Sequence, residues 1–229
     1  MIPAQPADSG PSRVGELLSR SLHDLRNPLA VVRACLEWLE VELREREDLV
    51  EAVRDASTAT TRIVGILEDL GVLARIESGD LVEGGVVDVA ATLRHVASAM
   101  NARLSPRGVS VVALAAAPAH VPGDAGMIAR AIEALVEVCA RAAPSRGCVE
   151  LGARAVELAT GRGAIEISIG LRDAVAIDTP GASGASIDAL ASGGIGAFLA
   201  LRVAEAHRGS LIVEPTTTVP RTLLRLPRG

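Results

Sequence analysis

The run Ser21-Leu22-His23-Asp24-Leu25-Arg26-Asn27-Pro28-Leu29 places an imidazole beside a carboxylate, with a carboxamide one helical turn further on. A carboxylate next to an imidazole can hold one ring nitrogen protonated and leave the other nucleophilic. Asn27, four residues after His23, falls on the same helix face, where its amide can orient a water. Pro28 removes a mid-helix backbone hydrogen bond at a cost on the order of 3 kcal/mol. That points to a wanted bend or a local opening beside His23. A lone surface histidine ordinarily does nothing, but these neighbours make His23 a candidate nucleophile.

The elements that must hold His23 are written in the spacing of the apolar residues. Leu22, Leu25, Leu29, Val32, Leu36, Leu39 and Leu43 alternate steps of three and four, which is a heptad seam. Polar residues follow at Glu42 and from Arg44 to Asp48, and a second seam runs through Leu49, Val53, Ala56, Thr60, Ile63, Leu67, Leu70 and Ala74. Two long helices joined by a short turn make a hairpin, with its second helix ending near Ser78-Gly79. A lone hairpin has too little core, so two copies are expected to pair as a four-helix bundle. His23, one step from Leu22, lies beside the seam at the bundle surface.

After Gly84-Gly85 the periodicity changes. Strands are predicted over 86–89, 109–114, 148–158, 164–172, 210–215 and 221–226, and helices over 90–104, 124–143 and 195–207. Asp124 is the expected N-cap of the second of these helices. Residues 174–193, rich in Gly, Ala and Ser, read as a loop. The fold class is therefore α+β, a dimerising helical hairpin followed by an α/β sandwich. The expected division is a disordered 1–12, a hairpin domain 13–80 and an α/β domain 81–229.

Composition narrows the partners. Apolar residues make up 49% of the 229, enough for a packed core, and the net charge is −5. All 23 basic residues are arginine and they are dispersed, which argues against nucleic acid. No apolar run approaches the ~18–20 residues of a bilayer span, and residues 1–12 lack signal-peptide order. A soluble, cytoplasmic chain with no membrane contact is expected. Cys35, Cys139 and Cys148 show no metal-type spacing, so reduced, buried thiols are expected and no protein metal centre is assigned.

Residues 19–29 resemble the phospho-acceptor box of two-component histidine kinases, usually His-Glu/Asp-Leu-Arg-x-Pro-Leu. Residues 69–79, Asp69-Leu70-Gly71-Val72-Leu73-Ala74-Arg75-Ile76-Glu77-Ser78-Gly79, resemble the exit of that family's second helix. The element order after residue 81 is similar to the family's ATP-binding domain, a helix-on-sheet sandwich shared with gyrase-type ATPases. Ser192-Gly193-Gly194-Ile195-Gly196-Ala197 resembles its second glycine box, where backbone N–H groups at a helix start approach phosphate.

The resemblance implies that His23 is phosphorylated, with Asp24 and Asn27 as its catalytic neighbours. It implies ATP with Mg²⁺ as cofactor, contacted by Asp173 at adenine and by Gly194, Gly196 and Arg141 at phosphate. Three departures stand beside it. Val175 and Ile177 replace both glycines of the first glycine box, and Val138 replaces the metal-holding asparagine, so Mg²⁺ would be weakly held. Glu133 and Glu137 read as a solvated helix face, and His207 as a residue that caps or packs at a helix end.

The implied function is a homodimeric histidine kinase that autophosphorylates His23 and passes the group to a response-regulator aspartate. The alternative is a histidine phosphotransferase relaying phosphate between receiver domains without ATP. A docking protein with a relic histidine is the third reading.

Overall fold

The computed structural model describes residues 13–43, 46–79, 85–114, 119–158, 160–172, 194–214 and 221–228, with side chains described from Leu25 onward except those of Pro28, Glu47 and Asp48. The chain divides into two compact units, 1–80 and 81–229.

The first unit is a hairpin of α1 (Arg13–Glu42) and α2 (Glu47–Glu77). Helix α1 runs unbroken through Pro28. Helix α2 ends at Ser78, whose hydroxyl donates to the Ala74 carbonyl, and Gly79 follows in the left-handed region at φ +75°. The buried residues of α2 include Val53, Thr60, Leu67 and Ala74, spaced seven apart. The second heptad position is different: Ala56 is exposed and Ile63 is 46% exposed. On α1, Leu29 and Leu36 are half-buried, as is Leu43 just past its end, whereas Leu25 and Val32 are exposed. In each helix one seam row is the better covered, while Leu25 and Val32 of α1 and Ala56 and Ile63 of α2 stay open to water. Thr60, a polar residue in the closed row, satisfies its hydroxyl on the Ala56 carbonyl at 2.8 Å.

The second unit is a five-stranded sheet in the order β2-β4-β5-β7-β6, with helices on one face. Its strands are β2 (Ser110–Ala113), β4 (Cys148–Glu157), β5 (Gly163–Leu171), β6 (Ser210–Glu214) and β7 (Arg221–Pro227). Only the β2/β4 pairing is parallel among the described strands. Helices α3 (Val89–Leu104), α4 (Ala125–Ala142) and α5 (Gly194–Ala206) cover it. The alternation of β5 sends Ile165, Ile167 and Ile169 into the core opposite Leu226, Leu224 and Thr222 of β7. On the other face Glu166 is 1% exposed and receives Arg154 at 2.6 Å and Arg225 at 2.7 Å from the strands on either side. Their cross-strand register places the three side by side, so the buried carboxylate is compensated.

Two short strands, β1 (Val86–Asp88) and β3 (His120–Pro122), pair antiparallel outside the main sheet. Strand β3 was not expected. The first predicted strand is one residue shorter than the sequence pattern suggests, because Asp88, its last residue, already caps α3, accepting from the Ala91 N–H at 3.0 Å. That hydrogen bond lowers the Asp88 carboxyl below its usual range, so the cap is present above ordinary carboxylate pH and is lost on acidification. Asp124 caps α4 as expected, accepting from the Met127 N–H at 2.9 Å. Among the described residues, no helix is long and apolar enough to cross a membrane.

Candidate functional site

His23 and Asp24 both lie within α1, and Asn27, one turn on, is exposed. The arginine of the same box, Arg26, reaches across to α2, where its guanidinium lies over Gly71. A Cβ at position 71 would sit 3.3 Å from an Arg26 nitrogen, so the glycine there makes room for the crossing.

The outward face of α1 carries a feature that the seam analysis missed. At about 100° per residue, positions 27, 30, 31, 34, 38 and 41 gather opposite the heptad seam. On a bundle helix such positions are ordinarily polar. Here Ala30, Val31, Ala34, Cys35 and Trp38 line a shallow apolar hollow. Val31 is 63% exposed and Trp38, the one tryptophan, is 62% exposed. His23 is eighteen residues before Val41, five whole turns, so the helical register puts it in line with this stripe, opposite the seam and not beside it as expected. The signal was in the sequence: apolar residues at 31, 34, 38 and 41 are out of phase with the seam.

Cys35 belongs to that exposed stripe, which corrects the expectation that all three thiols are buried. Cys139 is buried in α4, and burial pushes its thiol up to about 11 against the nearby Arg141 guanidinium, which lowers it. The folded value lies above the ordinary 9.0, so the neutral thiol's contribution is whole below pH 9 and is lost as pH rises towards 11.

In the α/β unit, Gly194 opens α5 at φ +67° with nothing within 4 Å of a Cβ placed there. Its glycine character comes from backbone conformation and not from crowding. Gly196 is the opposite case. A Cβ on Gly196 would lie 3.2 Å from the Ala134 Cβ, so the first turn of α5 is seated directly on α4. Val138 is one turn beyond Ala134 on that helix and half-buried, and Arg141 is exposed in its last turn. The structure thus brings Gly196 onto the helix that carries Val138 and Arg141. Asp173, with Val175 and Ile177, lies outside the described residues.

The carboxylates of α4 are already engaged. Glu137 is paired with Arg103 of α3, and Glu133 with Arg130 at 3.1 Å. The expectation that they form a solvated face is corrected, since both are half-buried partners of arginines. His207 packs as expected, and its partner is now visible. Its Nδ1 faces the Val203 carbonyl at 2.8 Å, and its Nε2 accepts the Asp124 N–H at 3.1 Å, which ties the end of α5 to the start of α4.

A family model for the His Kinase A (phospho-acceptor) domain matches residues 13–79, the hairpin with its His23 box. The hairpin is thus similar to a histidine-kinase phospho-acceptor domain. The probable sensor histidine kinase TcrY of Mycobacterium tuberculosis is 28% identical over 123 residues, 54% of this chain. The chain spans about a quarter of that relative, 26% of its length. Full-length ShkA, solved in complex with AMPPNP, is similar over 92% of this chain and 45% of its own, at 19% identity and a TM-score of 0.58. The Acinetobacter baumannii histidine kinase AdeS is similar over 90% of this chain and 98% of its own, at 18% identity and a TM-score of 0.54. These likenesses show the fold: a helical N-terminal region followed by a domain built on a mixed α/β sheet. Sequence and fold alike are similar to those of two-component histidine kinases.

A phospho-acceptor domain needs its histidine on an accessible helix face, and α1 provides the register for that. The nucleotide side of the resemblance fits less well. Mg²⁺ takes oxygen ligands, yet position 138 offers two methyl groups and the carboxylates at 133 and 137 are bound to arginines. Among the described residues no group of three or more His, Cys, Asp or Glu is disposed to hold a metal. The residues of α4 do not fit a metal-bound nucleotide.

Proposed function

We propose that the chain carries a phosphoryl group on His23 in a two-component pathway and passes it to the aspartate of a response-regulator receiver domain. The observation that supports this most is the intact acceptor box in α1 of a matched phospho-acceptor domain. Asp24 is assigned to set the proton on the imidazole, and Asn27 to orient water on a docked phospho-aspartate. The protein acts as a homodimer, because the open seam positions Leu25, Val32, Ala56 and Ile63 are covered only by a second hairpin. The receiver domain is assigned to the outward stripe of α1, which runs on from Asn27 through Val31 and Trp38. The reading places the chain in the cytoplasm, where receiver domains work.

Two phosphoryl donors are compatible with this. In the histidine-kinase route ATP, contacted at Asp173, Gly194, Gly196 and Arg141, phosphorylates His23. In the relay route the donor is a phosphorylated receiver domain. Val138 favours the second.

The reading is tested by phosphoryl exchange with a receiver domain in both directions, which His23→Ala should abolish while helical content is unchanged. Exchange that survives His23→Ala would end it. Asn27→Ala is expected to spare labelling of His23 and to slow dephosphorylation of the receiver; equal loss of both would mark Asn27 as structural. Trp38→Ala is expected to weaken receiver binding by about 2 kcal/mol, roughly thirtyfold, as for a buried aromatic anchor. Surface plasmon resonance reads this directly, with circular dichroism as the control for folding.

A further inference from the structure

We infer that phosphate reaches His23 from the phospho-aspartate of a receiver domain and not from Mg²⁺-ATP, because α4 is built without a place for the metal. This rests on the phosphoryl-carrier reading and goes past it by naming the donor.

Three independent observations converge on α4. The first is chemical: Val138 has no oxygen, one turn from the point where α5 touches the helix. The second is electrostatic. A substitute carboxylate from α4 itself would have to be Glu133 or Glu137, and each is paired with an arginine, Glu133 with Arg130 and Glu137 with Arg103. To free Glu137 for a metal, the chain would have to break the α3–α4 pair and leave Arg103 unmatched. Freeing Glu133 would break its ion pair with Arg130, a buried guanidinium. The third is steric. Gly196, the glycine that best matches a phosphate-binding loop, is explained by its 3.2 Å approach to Ala134. It lets two helices pack closely, so it needs no nucleotide to account for it. Glycine inside a helix costs about 1 kcal/mol relative to alanine, and close packing against α4 offsets that cost.

The chemistry at His23 needs none of this machinery. A ring nitrogen attacks phosphorus, the P–O bond of the aspartyl acyl phosphate breaks, and the N–P bond forms. The aspartate leaves as a carboxylate and the imidazole keeps its one proton. The step is reversible in kind, so the same residue can load a second receiver.

The test uses the full-length purified chain. Titration calorimetry with ATP, with and without millimolar MgCl₂, should show that magnesium changes the affinity by less than about twofold. Val138→Asn, which returns an oxygen to the position, should make binding magnesium-dependent by about tenfold or more, equivalent to 1.4 kcal/mol. Magnesium-dependent ATP binding by the unmutated chain overturns the inference. In parallel, the chain is offered radiolabelled ATP with Mg²⁺, and separately every receiver domain of its source genome charged with radiolabelled phosphoramidate. Label on His23 from at least one receiver and none from ATP is the expected result. Label from ATP that disappears in His23→Ala overturns the inference and leaves the carrier reading standing. No label from either source overturns both.

Discussion

Ile63→Asp is expected to convert a dimer of the 23.5 kDa chain into a folded monomer. Ile63 is the choice because it is 46% exposed in the single hairpin, so a carboxylate there costs the hairpin little. In the four-helix bundle the same position is covered twice, once per copy. Losing about 0.7–1.4 kcal/mol of apolar burial at each, half the full value because Ile63 is already half covered, removes about 1.4–2.8 kcal/mol from association, or roughly one to two decades in Kd. Leu67→Asp serves as the contrast. Leu67 is buried within the hairpin itself, so its replacement should lower helical content as well as assembly. Light scattering on the unmutated chain should give twice the chain mass. A monomer with full helical content would show that the open seam positions are covered by something other than a second copy.

Gly196→Val is expected to destabilise the α/β unit by about 2 kcal/mol, from overpacking against Ala134. A branched side chain would enter a gap where even a methyl group meets the Ala134 Cβ at 3.2 Å. Gly194→Ala should cost less, about 1 kcal/mol, because its neighbourhood is open and only its positive φ resists a side chain. Thermal unfolding followed by circular dichroism should rank the two in that order, with the valine lowering Tm by several degrees. If Gly196→Val left Tm unchanged while lowering nucleotide affinity, the glycine would belong to a phosphate loop and not to a helix contact.

The hairpin was legible because a seven-residue repeat is a local pattern that survives any tertiary context. Leu22 to Leu43 and Leu49 to Ala74 carried it without ambiguity, and the His23 box could be placed on a helix face from spacing alone. The strands of the main sheet were legible where they alternate, as at Ile165, Ile167 and Ile169. Strand β3 was not, since His120–Pro122 is too short to alternate and its pairing with Val86–Asp88 is a tertiary event. The same limit applies to His207, whose partner Asp124 is 83 residues away in the chain. It applies again to Glu137, whose surface-like spacing on α4 gave no hint of Arg103 on α3. The outward stripe of α1 was a different kind of omission. Trp38, Val31 and Val41 were in plain view, but a seam once found draws attention from residues that fall out of its phase.

The central claim is that His23, and none of the chain's other histidines, His95, His120 and His207, carries the phosphoryl group. Its most direct test is fragmentation mass spectrometry, at alkaline pH, of the unmutated chain after exchange with a charged receiver domain. The account predicts a single phosphorylated peptide spanning residues 21–29, with the modification on His23, stable in base and lost in acid. A phosphate mapped to any other residue, or a base-labile one, would contradict it.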